Sequence, residues 1–210
     1  MNSYRGHIIT SKDNSNIVID ILFVLFLPLL LVPLFGLVLY FSFPNADSRA
    51  LSIFIVFLSM MSGFCILPYI YMKKKYDLTI GDFGIKALNV KTAIIGIVYL
   101  ILLEVYLFYT GRTVSFLVVN SIQMAIVAFT EEFWARGAMC YLLAKISNRP
   151  WFIILLSSLF FAFLTHINEP FIDNLLYRLP GALVMGIIYV RTRNLLYTVL
   201  FHFSYNMIFI

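Results

Sequence analysis

Long apolar runs recur along the whole chain, each of roughly 17 residues or more, enough for a helix rising about 1.5 Å per residue to cross a hydrocarbon core of about 30 Å. The expected fold is therefore all-α, a polytopic transmembrane bundle with about seven spans. These read as Ile17 to Phe43, Leu51 to Met72, Thr92 to Tyr109, Val114 to Ala144, Trp151 to His166, Leu175 to Val190 and Asn194 to Ile210. Of the 210 residues 62% are hydrophobic and 12% charged, about half the charged share of an average soluble domain, which excludes a soluble fold. The first run is too long for a signal-peptide h-region, lacks a small-residue cleavage site and is followed by further spans, so it is expected to stay in the mature protein.

The net charge of +5 does not point to nucleic acid, because the basic residues sit in the short connections between spans. A cytoplasmic N-terminus puts Arg5, Lys12, Lys73, Lys74, Lys75, Lys86, Lys91, Lys145, Arg149, Arg191 and Arg193 inside, leaving Arg49, Arg112 and Arg178 outside. The C-terminus is then expected at the outer face, without a tail. Cys65 and Cys140 both lie in apolar runs and read as packing residues, with no disulfide and no cysteine zinc site. Gly81-Asp82-Phe83-Gly84 marks a turn in the one connection long enough for a small interfacial element. Ser158 with Ala162, and Ala182 with Gly186, have the small-xxx-small spacing of closely packed helices. No internal repeat supports a transporter built from two homologous halves.

Against this background the polar residues inside the runs stand out: Glu104, Glu131, Glu132, Arg136, His166, His202 and Asn206. An ionised group at mid-bilayer costs about 2.5 to 3.5 kcal/mol on insertion scales, so such groups face the bundle interior and serve either as glue between helices or as a site. Counting helical rise from the cytoplasmic ends puts Glu131 about 21 Å up, His166 about 24 Å, Asn206 about 19 Å, Glu104 about 20 Å and His202 about 13 Å. Four helices thus bring polar side chains to one level. Glu132 and Arg136, four apart, can pair on one helical face, which leaves Glu131, rotated about 100° away, free to point at the histidines. His202 and Asn206 also share a face and can donate hydrogen bonds towards one point. A buried glutamate beside a histidine suits the activation of water, and a second histidine with an asparagine suits an oxyanion; together they describe peptide-bond hydrolysis.

At these residues the chain resembles the CPBP family of intramembrane peptidases, which includes CAAX prenyl endopeptidases and bacteriocin-processing or self-immunity (Abi) proteins. EExxxR is present as Glu131-Glu132-Phe133-Trp134-Ala135-Arg136, and HxxxN as His202-Phe203-Ser204-Tyr205-Asn206. The intervening FxxxH departs from the pattern: His166 is present, but Ala162 stands four before it, between Phe161 and Phe163. The resemblance covers about the last half of the chain and divides it into N-terminal spans, 1–113, and a catalytic core, 114–210. It implies Glu131 as general base with His166 on the attacking water, His202 and Asn206 as the oxyanion site, and Glu132 and Arg136 as supporting or substrate-contacting residues.

A metal-free scheme is favoured, so no cofactor is expected; the alternative is zinc on Glu131, His166 and His202 with Glu132 as base. Glu104 lies outside the motifs and reads as a partner for Arg136 or a hydrogen-bonded neutral acid, with a secondary catalytic role as the other possibility. Asp20 and Arg178 lie near the two interfaces, where both are expected to reach water. The expected function is endopeptidase cleavage near the terminus of a membrane-associated peptide or protein in the cell membrane. The Ile-, Phe-, Lys-, Asn- and Tyr-rich composition is that of a low-GC bacterium, for which a bacteriocin or pheromone precursor fits better than a prenylated protein. The rival readings are a non-catalytic immunity or regulatory protein that binds a peptide in the same cavity, and an ion or proton-coupled transporter.

Overall fold

A computed structural model describes residues 16–43 and 49–209. Arg5, Lys12 and Ile210, which enter the expectations above, lie outside the described residues. The chain is all-helical, with α1 (Ile17–Ser42), α2 (Arg49–Tyr76), α3 (Val90–Tyr109), α4 (Val114–Ile146), α5 (Pro150–Leu164), α6 (Phe171–Thr192) and α7 (Leu195–Phe209). Each coincides with an expected span. Five of them, α1 to α4 and α6, are long and apolar enough to cross a bilayer. The expectation of seven spans is met in the number of helices but not in their length. At 15 residues each, α5 and α7 rise only about 22 Å, short of a hydrocarbon core of about 30 Å.

The bundle is inside-out relative to a soluble protein. Large apolar side chains such as Leu30, Ile95, Leu102 and Leu176 face outwards, whereas the interior around the second half of α4 holds Trp134, Arg136 and Glu132, all fully buried. This inversion is what a lipid surround permits, since outward apolar faces carry no cost there.

Prolines shape how the helices meet α4. Pro28 lies inside α1 and has no N–H, so the carbonyl of Val24 lacks its helical donor four residues on. The indole N–H of Trp134 donates to that carbonyl at 2.7 Å, which ties α1 to α4 beside the glutamates. Wider i→i+5 turns occur at Met61–Ile66, Phe133–Met139 and Asn174–Arg178. The first and third lie just before Pro68 and Pro180, where a regular ladder would lose a donor. The middle one has no proline and carries Arg136; such turns occur often at functional sites.

The turn chemistry at Gly81–Gly84 forms a short 3₁₀ helix, Ile80–Phe83. The Asp82 carboxylate accepts from the Thr79 amide at 2.7 Å, and Gly84 adopts φ 88°, a left-handed conformation that favours glycine. This element sets Phe83 flat against Phe133, with ring centroids 4.7 Å apart, and over Gly137, where a Cβ would come within 3.1 Å of Phe83. Small residues likewise let α5 and α6 close up: a Cβ on Gly186 would lie 3.4 Å from the Ser158 hydroxyl.

Asp20 departs from expectation. It is 1% exposed and does not reach water. Its carboxylate accepts hydrogen bonds from Tyr71 (2.5 Å), Lys75 (2.5 Å) and Tyr76, clamping the start of α1 to the end of α2. Four residues separate Tyr71 from Lys75, which places both on one face of α2, opposite the acid.

Candidate active site

The two glutamates close the regular part of α4, and Arg136 follows in the wide turn. Arg136 Nε lies 3.1 Å from Glu132 Oε2, with both side chains at 0% exposure. Its other nitrogens donate to the Ser157 hydroxyl (3.2 Å) and the Ala182 carbonyl (3.1 Å). The guanidinium therefore joins α4, α5 and α6, and its buried charge has a carboxylate partner, as a charge in a dry interior requires.

Glu132 does more than the spacing predicted. Its second oxygen, Oε1, lies 3.2 Å from His202 Nδ1, while His202 Nε2 faces Glu131 Oε2 at 3.7 Å. One imidazole on α7 is thus bracketed by two successive carboxylates of α4. The sequence reading directed Glu131 alone at the histidines and gave Glu132 to Arg136. In the structure Glu132 serves Arg136 and His202 together.

Glu131, His166, His202 and Asn206 line one cavity of about 560 Å³. His166 reaches it from the turn after α5, which ends at Leu164, rather than from within a span. With the chain leaving helical geometry after Leu164, Phe161, five before His166, is the ring that meets it. The Phe161 ring lies edge-on to both His166 (centroids 5.4 Å apart) and His202 (5.5 Å), and the Arg136 guanidinium carbon stands 5.6 Å from its centroid. Ala162, in the motif position, is fully buried.

Of the two readings of Glu104, pairing with Arg136 is corrected, whereas a hydrogen-bonded carboxyl group agrees with the structure: Glu104 accepts from the Ser121 hydroxyl at 2.6 Å, does not line this cavity and borders a separate apolar groove between α3, α4 and α7. Its level was misjudged because Ser121 precedes Glu131 by ten residues, about 15 Å of helix, so α3 and α4 are offset and a count from the loop ends does not compare them. Arg178 is not merely an interfacial cation. It lines the cavity, with Nη1 3.5 Å from His166 Nε2 and Nη2 3.2 Å from Glu169. Glu169, Asp173 and Tyr177 also contribute to the lining and were missed, since each lies at the edge of an apolar run where polar residues carry no signal. The repeat of carboxylates and an arginine at Glu169, Asp173 and Arg178 was the available clue.

The alternative zinc set does not fit. Among the described residues no three His, Cys, Asp or Glu side chains gather in a way that could hold a metal ion. A guanidinium also faces Nε2 of His166.

Comparison with known proteins gives one family. Residues 110–208 match the family model described as type II CAAX prenyl endopeptidase Rce1-like. No curated protein and no solved structure matches.

Proposed function

Residues 110–208 form a CPBP/Rce1-like CAAX protease family domain in an all-helical, multi-pass membrane protein, and on that premise we propose that the chain is an intramembrane endopeptidase. It hydrolyses a peptide bond near the terminus of a membrane-associated peptide or protein. The observation that carries this reading is the buried series Glu131, His202, Glu132 and Arg136, which borders a cavity whose walls also present His166 and Asn206.

In the proposed mechanism Glu131 takes a proton from the attacking water, and His166 orients that water across the cavity. His202 and Asn206 donate to the oxyanion of the tetrahedral intermediate. For Nε2 of His202 to donate while Nδ1 donates to Glu132, both nitrogens must carry hydrogen, and the two flanking carboxylates are the counter-ions such an imidazolium needs. Glu132 and Arg136 set the ring's orientation. Collapse of the intermediate returns the proton from Glu131 to the leaving amine, as the reversal of general-base catalysis requires.

The proposed catalytic core is 114–210, preceded by the N-terminal spans of 1–113. All seven helices are proposed to lie within the membrane, α5 being short because the chain turns at the cavity rather than at the far interface. Lys75 at Asp20 and Lys145, 4.3 Å from the Tyr76 ring centroid, gather basic residues at one end of the bundle, which supports a cytoplasmic N-terminus in the cell membrane. For a chain of this bacterial-type composition, a leader-bearing bacteriocin or pheromone precursor is the proposed substrate in preference to a prenylated protein. Cleavage of a panel of such precursors by the protein in nanodiscs tests the reading. Loss of that cleavage in Glu131→Ala is the expected result; binding without cleavage would support the non-catalytic immunity reading instead.

A further inference from the structure

A second cavity, of about 450 Å³, opens between the first turn of α2 and the first half of α4. Its walls are polar for a space between membrane helices. Ser52, Thr113, Ser115, Asn120 and Gln123 supply hydroxyls and amides, and Arg49 supplies a guanidinium. Asn120 and Gln123 stand six and nine residues beyond Val114, the first residue of α4, about 9 and 13 Å along the helix, so polar groups continue from the interface well into the hydrocarbon.

Lipid tails cannot satisfy these groups. The Asn120 amide nitrogen donates to the Phe116 carbonyl at 2.8 Å, and the Thr113 hydroxyl accepts from the Phe116 amide at 3.2 Å. Among the described residues the Gln123 amide has no hydrogen-bond partner and Arg49 has no carboxylate. An amide left unpaired away from water is costly, so the cavity calls for a polar occupant. The charges set its sign. No Asp or Glu lines the cavity, and Glu104 on the neighbouring α3 is taken up by Ser121 and borders a different groove. A second guanidinium, that of Arg112, stands over the ring of the wall residue Phe116, 4.9 Å from its centroid.

We infer that this cavity binds a phosphate group, with Arg49 on the phosphate oxygens and Asn120 and Gln123 on the ester or hydroxyl oxygens beyond them. The guanidinium fork matches phosphate geometry. The cavity opens at helix ends, where headgroups lie, so the bilayer itself supplies the ligand as an anionic phospholipid such as phosphatidylglycerol. A dissolved phosphate presents the same chemistry, and the two sources give different results below. An occupant here braces α2 against α4, the helix that carries both glutamates. The site is independent of the peptidase reading.

The test is native mass spectrometry of the delipidated full-length protein in detergent, titrated with dioleoylphosphatidylglycerol, with dioleoylglycerol, which lacks the phosphate, and with inorganic phosphate. The first phosphatidylglycerol is expected to bind at least about tenfold more tightly than dioleoylglycerol, and Arg49→Gln to weaken it by at least about tenfold, the worth of a hydrogen bond to a charged group. Gln123→Leu is expected to weaken the same lipid yet melt no lower than the wild type without lipid, because it removes an amide that had no partner; a lower melting temperature there would overturn the ligand role of Gln123. Lys74→Gln, exposed at the other end of α2, should leave the affinity unchanged, which controls for general attraction to basic residues. Binding of inorganic phosphate but not of the lipid, lost in Arg49→Gln, would keep the phosphate site and assign it to a dissolved ion. Equal binding of phosphatidylglycerol and dioleoylglycerol, or an unchanged affinity in Arg49→Gln, would overturn the inference.

Discussion

His202 Nδ1 stands 3.2 Å from Glu132 Oε1, closer than Nε2 stands to Glu131 at 3.7 Å, so the second glutamate of the pair makes the hydrogen bond to the histidine of α7 while its other oxygen neutralises Arg136. The two glutamates should therefore fail differently. Glu132→Ala leaves the fully buried Arg136 without its carboxylate and is expected to cost about 3–5 kcal/mol, the scale for breaking a buried ion pair. Thermal unfolding in detergent should show that loss. Glu131→Ala, at the cavity wall, should unfold within a few degrees of the wild type. Equal destabilisation by the two substitutions would contradict the assigned division of labour.

Trp134 and Pro28 form a second coupled pair. Trp134→Phe leaves the Val24 carbonyl buried with no donor, because Pro28 cannot supply one, and is expected to cost about 1–3 kcal/mol. In a Pro28→Ala background the new amide at position 28 bonds that carbonyl, and the cost of Trp134→Phe should shrink. A double-mutant cycle on unfolding free energies measures the difference; strict additivity would mean that the proline is irrelevant to the indole hydrogen bond.

Restoring the family's FxxxH spacing should harm the protein. Ala162 is fully buried, so Ala162→Phe overpacks its site and is expected to cost about 1–3 kcal/mol. Phe161→Ala removes the ring that separates His166, His202 and Arg136, with an expected cost of about 3–5 kcal/mol. Membrane accumulation and melting temperature report both. A stabilised Ala162→Phe protein would show that Phe161 does not fill the motif's place.

Gly84 and Gly81 offer a matched comparison within one turn. A Cβ on Gly84 would meet Tyr189 at 2.7 Å and the Leu195 amide nitrogen at 3.3 Å, on a residue with φ 88°. A Cβ on Gly81 would find only the Thr79 hydroxyl, at 3.6 Å. Gly84→Ala is accordingly expected to lose more than about 1 kcal/mol through backbone strain and contact together, with Gly81→Ala close to neutral.

Much of this architecture is legible in the sequence, because a bilayer permits few alternatives: the apolar runs mark all seven helices, and the turn at Gly81–Gly84 announces its own geometry. The motif glutamates, the two histidines and Asn206 are visible because polar atoms are rare inside such runs. What the sequence hides is relative placement. Helix offset moved Glu104 to Ser121 and away from Arg136. The wide turn after Glu132 is not marked by any residue type, yet it sets Arg136 among three helices. Asp20 is shielded from water by Tyr71, Lys75 and Tyr76, partners from a distant segment that its own surroundings in the sequence do not reveal. Arg178 lies near an expected interface, and only the turn at His166 reveals that it also faces the cavity.

Glu131 and His166 are proposed to act on water within this cavity. The most direct test is the rate of precursor-peptide cleavage by the purified protein in nanodiscs, for wild type, Glu131→Ala and His166→Ala, each with and without a zinc chelator. Cleavage by the wild type is expected to survive chelation and to fall by at least about a hundredfold in either variant, the lower range for loss of a general base. Cleavage that persists in Glu131→Ala, or that disappears on chelation alone, would contradict this assignment.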